Sequence, residues 1–239
     1  MQLANTTILI TGANRGIGRA LVTEALRRGV KRVYAGTRSG TMPITDSRVT
    51  PLTLDVTNAS QIEAAVGQVE HLDVLVNNAG IALFEDLSNI DLIEQHLAVN
   101  LFGPLRLSRA FLPQLTRAEG AILNILSLAA VAPVPVVPAY SISKAAALNM
   151  TQSLRAFLAG QGVTVHAGLL GPTDTDMARG FEIPKSAPEV VAKGIFDGLE
   201  KGEEEIFPDP VSQSIAEGWR NGVSKGLERQ FMAFVPASV

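Results

Sequence analysis

Residues 6–18 read TTILITGANRGIG, and they determine the architecture more than any other segment. Residues 6–11 form a short β-branched run that is typical of a buried strand. Three glycines follow, and an alanine- and leucine-rich segment continues to Gly29. A strand, a glycine-rich turn and a helix N-terminus in this order make an anion site, because free N–H groups and the helix dipole favour the charge of a pyrophosphate. The segment therefore predicts a dinucleotide-binding unit.

Strand and helix patterns alternate along the rest of the chain. Proline near Gly103-Pro104 should interrupt the longest helical segment, because it disturbs the backbone hydrogen-bond ladder. This alternation of strands and helices indicates an α/β fold, a doubly wound parallel sheet of six or seven strands with an added C-terminal helix. No linker or repeat divides the chain, so we predict one catalytic domain over residues 1–239. The predicted strands are 6–11, 31–37, 49–55, 72–76, 121–127, 163–169 and 205–207, and the helices after the first are 58–69, 87–115, 140–158, 188–200 and 211–234.

Composition excludes several classes of function. The net charge is −3 and charged residues make up 18% of the chain, so there is no excess of positive charge that would bind nucleic acid. The chain has no cysteine, and its three histidines are scattered, so we expect neither disulfides nor a metal site. It has no signal-peptide pattern and no apolar run near the roughly 20 residues that span a bilayer. We expect a soluble, cytoplasmic protein without a membrane partner.

A second segment, residues 127–144 (SLAAVAPVPVVPAYSISK), carries candidate chemistry. Tyr140 and Lys144 are four residues apart, so on a helix they share one face. A free tyrosine has a pKa of about 10, and a neighbouring positive charge favours the phenolate, which makes the phenol a usable acid or base. Ser127, at the end of the preceding strand pattern, would place a hydroxyl against the same reacting oxygen.

Together the motifs resemble the short-chain dehydrogenase/reductase family over essentially the whole chain. The resemblance implies a Rossmann sheet that binds a nicotinamide dinucleotide and interconverts ketones and alcohols. The matching motifs are Thr11-Gly12-x-x-x-Gly16-x-Gly18, Asp55-Val56, Asn77-Asn78-Ala79-Gly80, Asn100, Ser127 and Tyr140-x-x-x-Lys144.

The resemblance also implies a role for each catalytic residue. Tyr140 would donate a proton to the substrate carbonyl oxygen, and Ser127 would hydrogen-bond to that oxygen. Lys144 would hold the nicotinamide ribose and lower the pKa of Tyr140. Asn100 would hold a water that links Lys144 to solvent. Preorganised donors of this kind stabilise the negative charge that develops on a carbonyl oxygen.

The predicted cofactor is NADP(H). NAD-preferring relatives usually end the second strand with an acidic residue, whereas this chain has Thr37 followed by Arg38. Arg38 and Arg15 would approach the 2′-phosphate of NADP(H) from two sides and bind it strongly. The cofactor-binding residues predicted are Gly12, Asn14, Arg15, Gly16, Ile17, Gly18, Thr37, Arg38, Asp55, Val56, Asn78, Ala79, Gly80, Tyr140, Lys144, Gly171, Thr173 and Thr175.

The predicted reaction is reduction of a small or medium apolar ketone to a secondary alcohol by NADPH. Two alternatives stay open: an NAD-dependent alcohol dehydrogenase working in the oxidative direction, and a non-catalytic dinucleotide-sensing protein. The complete Ser/Tyr/Lys/Asn set counts against the sensor. Apolar residues on loops at the carboxyl ends of strands, where ligands of such sheets bind, suggest the pocket walls: Ile81, Leu83, Phe84, Val131, Val134, Val136, Met177 and Phe181.

Two helix patterns predict a homodimer or homotetramer. Between residues 141 and 160 only Lys144 and Arg155 are charged, and a helix apolar on most faces is buried on most faces. We expect one side to meet a second subunit. In the last helix, an apolar residue recurs every four positions beside a row of glycines, so we expect this helix to lie on an interface or to close the pocket. These positions are Ile215, Trp219, Val223, Leu227 and Phe231, with Gly218, Gly222 and Gly226.

Overall fold

Seven parallel strands form one sheet in this computed structural model, which describes residues 1–234; residues 235–239 of the predicted domain lie outside that part. The strand order is β3-β2-β1-β4-β5-β6-β7. It reverses direction between β1 and β4, so the predicted doubly wound Rossmann sheet is confirmed, and the crevice for a ligand lies at the carboxyl ends of these two strands. The strands are β1 Thr7–Thr11, β2 Arg32–Thr37, β3 Val49–Thr53, β4 Val74–Asn77, β5 Ala121–Ile125, β6 Thr164–Gly168 and β7 Glu205–Ile206.

Helices cover both faces of the sheet. Side chains alternate along β1, so Ile8 and Ile10 pack under α1 and α7, whereas Leu9 packs under α2, α4 and α5. Apolar side chains on both faces explain the nearly continuous hydrophobic strands. Among the described residues, no helix combines the length and apolar character needed to cross a membrane. The helices are α1 Gly16–Arg27, α2 Ala59–Gln68, α3 Ile90–Leu97, α4 Gly103–Ala110, α5 Leu112–Ala118, α6 Pro138–Leu158, α7 Pro188–Lys201, α8 Pro210–Arg220 and α9 Val223–Phe231.

Two predicted helices are broken in the structure. The segment predicted as 87–115 begins only at Ile90, passes through a π turn at Ala98–Phe102, and breaks again at Phe111, just before Pro113. Proline has no backbone N–H to donate, so the helix restarts there. The segment predicted as 211–234 is two helices, because Gly222 takes an extended conformation and becomes the N-cap of α9. Its apolar positions are therefore not one straight stripe.

Buried charges hold α9 against the sheet and α6. Arg155 of α6 pairs with Glu228 of α9 and lies 2.9 Å from Glu205 of β7. Lys225, only 2% exposed, lies 3.0 Å from Glu205 and 2.9 Å from Glu228. Glu204, Glu205 and Glu228 bring carboxylate oxygens within 4.8 Å of one another, and the two cations offset two of these three negative charges.

Candidate active site

The turn after β1 is built from glycine because nothing larger fits. Gly12 and Gly16 have φ values of 64° and 51°, in the left-handed region that glycine enters easily. A Cβ at Gly18 would lie 2.1 Å from the Gly12 carbonyl oxygen and 2.6 Å from Asn78 Nδ2. In the described part of the chain, the side chain of Arg15, the N-cap of α1, makes no hydrogen bond to the first turn. The first N–H groups of α1 therefore face an anion site.

The segment after β4 is fastened to this turn by Thr11. Thr11 Oγ1 accepts hydrogen bonds from the backbone N–H groups of Asn78 and Ala79, both at 3.0 Å. Asn78 Nδ2 donates in return to the Thr11 carbonyl oxygen at 2.8 Å. A Cβ at Gly80 would lie 3.2 Å from Asn100 Oδ1 and 3.8 Å from Lys144 Nζ. The glycine turn, the Asn-Asn-Ala-Gly segment and the Lys144 ammonium thus lie close together.

Ser127, Tyr140 and Lys144 converge beside β5. Ser127 follows the end of β5, and its Oγ accepts the Ala129 N–H at 3.1 Å. The hydroxyl of Ser127 also lies beside the phenol of Tyr140, which is in the first turn of α6. Lys144 Nζ lies 5.6 Å from the centre of the Tyr140 ring and donates to the Ile125 carbonyl oxygen at 2.8 Å.

The ionisation of Tyr140 differs from the expectation. Burial raises its pKa above the ordinary 10.0, and the neighbouring Ser127 hydroxyl lowers it by less. Lys144 was expected to lower this pKa, but its ammonium lies over the ring and is directed at the Ile125 carbonyl oxygen. Burial also lowers the pKa of Lys144 from 10.5 to about 8. Without a ligand, the site therefore holds a neutral phenol beside an ammonium that loses its proton readily.

Asn100 lies inside the π turn, a distortion that often marks functional positions. Its Nδ2 donates to the Ile81 carbonyl oxygen and to Ser143 Oγ, both at 2.9 Å. Its Oδ1 accepts the Ile81 N–H at 2.9 Å. The amide therefore clamps the segment after β4 to α6, and its predicted part in holding a water stays a prediction.

The adenosine end of the predicted cofactor site lies at the carboxyl ends of β2 and β3. Hydrogen bonds from Thr57 lower the pKa of Asp55 there, and the charge of the exposed Arg38 lowers it by less. Thr37 is buried, and its hydroxyl donates to the Thr41 carbonyl oxygen at 3.2 Å. The Thr37 side chain is thus engaged inside the protein, while Arg38 is open to a ligand.

The other predicted cofactor residues surround the same crevice. Asn14 and Arg15 are exposed on the glycine turn, with Arg15 Nη1 3.6 Å from Asp176 Oδ2, and Ile17 is partly buried. Val56 is buried against α4, because a Cβ at Gly103 would lie 2.7 Å from Val56 Cγ2. Val56 therefore shapes the wall through packing.

The loop after β6 crosses the glycine turn. A Cβ at Gly16 would lie 3.2 Å from Thr175 Cγ2, whereas Thr173 is buried. The Gly171 N–H donates to Asp209 Oδ2 at 2.8 Å, and the fully buried Asp209 also caps α8. Sequence reasoning missed Asp209. Its place before a proline is a helix-start signal, but the contact with Gly171 spans 38 residues.

Apolar side chains border the crevice on the side away from the adenosine end. Phe84, after β4, stacks on Phe181, after β6, with ring centres 5.2 Å apart. The same loop also borders a polar cavity of about 330 Å³, lined by Asp174, Thr175, Asp176, Arg179, Gly180 and Lys185. Of the other predicted wall residues, Ile81 is partly buried, and the exposed ones are Leu83, Val131, Val134, Val136 and Met177.

Comparison with known proteins supports the same interpretation. The 2-(S)-hydroxypropyl-CoM dehydrogenase 3 of Xanthobacter autotrophicus is 36% identical over 207 residues, which cover 80% of this chain and 81% of the relative. The ketoacyl reductase HetN of a Nostoc species is 30% identical over 237 residues, 89% of this chain and 82% of the relative.

Among solved structures, a short chain dehydrogenase from Burkholderia cenocepacia in complex with NADP superposes with a TM-score of 0.88. The two share 34% identity, and the match covers 99% of this chain and 100% of the other. The family model described as short chain dehydrogenase matches residues 6–185 of the 239. On this evidence the chain belongs to the short-chain dehydrogenase/reductase family of oxidoreductases.

Proposed function

We propose that the protein is an NADP(H)-dependent carbonyl reductase that converts a small or medium apolar ketone to a secondary alcohol. The observation that carries the proposal is the convergence of three groups: the Ser127 hydroxyl lies beside the Tyr140 phenol, and the Lys144 ammonium lies 5.6 Å from the centre of that ring. These groups lie beside the glycine turn, and two hydroxyls aimed at one place suit a carbonyl oxygen that gains negative charge.

The crevice fits a phosphorylated dinucleotide. Gly12, Gly16 and Gly18 keep the backbone clear where a pyrophosphate would meet the start of α1. Arg15 and Arg38 are exposed near the crevice, and the β2 strand ends in Thr37 rather than a carboxylate, which suits a 2′-phosphate. The NADP found in the Burkholderia structure supports this assignment. When bound, the cofactor supplies the hydride for the substrate carbonyl carbon.

Residues of this chain would supply the proton that the substrate oxygen gains. Tyr140 is neutral at pH 7 because its pKa lies above 10.0, so a proton is available for the substrate oxygen. Ser127 would donate a second hydrogen bond to that oxygen. Lys144, with a pKa of about 8, is largely charged at neutral pH and would bind a ribose hydroxyl and stabilise the tyrosinate left behind. Because Tyr140 is protonated, the site favours reduction of the ketone, the direction that needs a proton donor.

Alcohol oxidation is the second candidate, because the Xanthobacter relative is named a dehydrogenase. The same residues would act in reverse, but Tyr140 would then have to lose its proton first. A purely dinucleotide-sensing role is less well supported, since a sensor has no need for Ser127, Tyr140 and Lys144 to converge.

Steady-state assays test the reaction. With a panel of aryl and alkyl ketones, keto acids and sugars, loss of NADPH absorbance should be fastest with the uncharged ketones, since Phe84 and Phe181 present apolar surface. A preference for a charged substrate would favour the polar cavity that Arg179 and Lys185 border, and would contradict the proposed class.

Tyrosine variants test the proton donor. Tyr140→Phe removes only the hydroxyl, so turnover should fall by about 10²-fold or more, the usual contribution of a general acid, while NADPH still binds. The chain has two tyrosines, and Tyr34 lies on the outer side, 3.5 Å from the Gln68 carbonyl oxygen. Tyr34→Phe is therefore the matched control and should keep its turnover. Near-parent turnover in Tyr140→Phe would remove Tyr140 as the donor.

Arginine variants test the cofactor. The parent should have a higher kcat/KM with NADPH than with NADH, and Arg38→Asp should shrink or invert that ratio. Arg32, at the opposite end of β2, contacts Tyr34 and Thr50, so Arg32→Asp should leave the ratio unchanged. An NADH preference in the parent would overturn the assignment.

A homodimer or homotetramer also belongs to this proposal, as do the single domain over residues 1–239 and the cytoplasmic location. The α6 helix is not apolar all round, but its exposed stripe is mostly small or apolar: Ala145, Asn149, Ser153 and Phe157. Apolar residues of α9 are also exposed, including Val223 and Phe231. Covering these stripes favours association. Light scattering at micromolar concentration should give a multiple of 25.3 kDa, and a monomer mass would refute it.

A further inference from the structure

The segment after β4, residues 81–89, is tied to three neighbouring elements. Ile81 is held by Asn100 of the π turn, at 2.9 Å on both its N–H and its carbonyl oxygen. The Leu83 N–H donates to Nε2 of the buried His96 at 3.1 Å, and Nδ1 of that ring must donate to the Leu92 carbonyl oxygen, which can only accept. A third tie, from Glu85, reaches α6 and has no part in the proposed reaction.

The Glu85 carboxylate is oriented by its own loop. Its Oε2 accepts the Leu87 N–H at 2.5 Å, in a turn that puts Leu87 at a φ of 67°, a left-handed conformation rare for leucine. Its Oε1 accepts the Ala139 N–H at 2.6 Å. One oxygen thus fixes the direction of the carboxylate, and the other contacts α6.

The contact with Ala139 is important because this residue lies in the first turn of α6. The helix α6 begins at Pro138, and the N-cap residue Val137 gives it no side-chain hydrogen bond within the described chain. The first N–H groups of a helix have no partner inside the helix, and a carboxylate near that end also favours the dipole. Glu85 supplies this cap from 54 residues away, directly before Tyr140.

We propose that Glu85 is a positioning residue for Tyr140. By holding the first turn of α6, it keeps the phenol against Ser127 and under Lys144. Because Phe84 stacks on Phe181 at the border of the crevice, the same loop links the substrate side to the helix that carries the proton donor. The inference rests on the proposed function for its kinetic consequence, whereas its structural consequence can be measured independently.

The kinetic test compares three variants with the same ketone and NADPH. Glu85→Ala should lower kcat by about tenfold to a hundredfold, because small displacements of a reacting group are costly, with little change in the KM for NADPH. Glu85→Gln keeps the side-chain length but only one acceptor oxygen, so it can satisfy one of the two N–H groups and should recover only part of the lost kcat. Asp86→Ala is the matched control: its carboxylate accepts the Ser88 N–H at 3.1 Å within the loop, and kcat should stay near that of the parent.

The structural test measures hydrogen exchange in cofactor-free protein. In Glu85→Ala, the amides at the start of α6, including Ala139, should exchange at least about tenfold faster, while those near Leu158 keep their protection. If Glu85→Ala does not fold, the same comparison is made with Glu85→Gln, whose amide leaves one of the two N–H groups without an acceptor; the start of α6 should then exchange measurably faster than in the parent, and unchanged exchange there would overturn the inference.

The outcomes separate this inference from the proposed function. Unchanged exchange in Glu85→Ala would overturn the inference, whatever the enzyme reduces. An unchanged kcat, a change confined to KM, or an equal loss in Asp86→Ala would also overturn it, even if Tyr140→Phe is inactive. Faster exchange without any ketone reduction by the parent would leave the cap in place and refute the proposed function instead.

Discussion

Replacing Lys144 with methionine should make the cofactor-free protein more stable while it removes turnover. Lys144 is only 6% exposed, and burial lowers its pKa from 10.5 to about 8. At about 1.4 kcal/mol per pKa unit, keeping this ammonium charged in the folded protein costs about 3 kcal/mol. Methionine has a similar length and no charge, but it loses the hydrogen bond to the Ile125 carbonyl oxygen, which contributes about 1 kcal/mol. The expected net gain at neutral pH is about 2 kcal/mol.

The stability difference between the parent and Lys144→Met should depend on pH, in a direction that follows from the pKa of Lys144 in the folded and unfolded states. The folded parent releases the Lys144 proton near pH 8 and the unfolded chain near 10.5, so between these values the unfolded state binds more protons and the stability of the parent rises with pH. The cost of the buried charge is complete below pH 8 and is relieved above it. Between about pH 7 and about pH 9.5, the advantage of Lys144→Met should therefore shrink by about 2 kcal/mol.

Urea unfolding, followed by the fluorescence of Trp219, measures both quantities. Lys193→Met is the matched control, because Lys193 is exposed and pairs with Asp197 on the surface of α7, so its change should stay within about 0.5 kcal/mol. A Lys144→Met variant that is less stable than the parent at neutral pH would refute the reasoning. A stability difference independent of pH would refute it as well.

Three further predictions follow from the site. In a pH–rate profile, kcat/KM for reduction should fall as the pH rises through about 8, because Lys144 loses its charge while Tyr140 keeps its proton; a flat profile to pH 9.5 would contradict this. Gly18→Ala should lose about 1–3 kcal/mol in urea unfolding and weaken NADPH binding in a fluorescence titration, whereas Gly67→Ala, with open space around it in α2, should gain up to about 1 kcal/mol. Asp209→Ala should lower the unfolding midpoint by the equivalent of about 3 kcal/mol or more, since it leaves the N–H of Gly171 and several others without an acceptor; an unchanged midpoint would contradict it.

The sequence was a good guide to the sheet and to the short motifs, for a physical reason. Most of these strands are buried on both faces and need continuous apolar, often β-branched runs, and each predicted strand is present within two residues at either end. The glycine turn is equally readable, because the requirement for glycine is local: Gly12 needs its backbone angle, and Gly18 needs the absence of a Cβ.

What the sequence did not predict depends on contacts between distant parts of the chain. Glu85 and Asp209 reach partners 54 and 38 residues away, and no spacing rule reports such contacts. The expectation that Lys144 lowers the pKa of Tyr140 is wrong for a related reason. The four-residue step predicts that Lys144 shares its helix face, but the degree of burial that decides the pKa is a property of the folded surroundings.

The buried charges that hold α9 constrain how this chain can change in evolution. Arg155 and Lys225 share the carboxylates of Glu205 and Glu228, so the loss of either cation leaves these buried carboxylates without enough positive charge, at about 3–5 kcal/mol. Exchange of the whole group for apolar residues of similar volume is often neutral. Loss of Arg155 or Lys225 alone is therefore selected against, whereas joint replacement of the whole group is tolerated. Related sequences that keep Glu205 and Glu228 should therefore keep both cations, and sequences with these carboxylates but only one of the cations should be scarce.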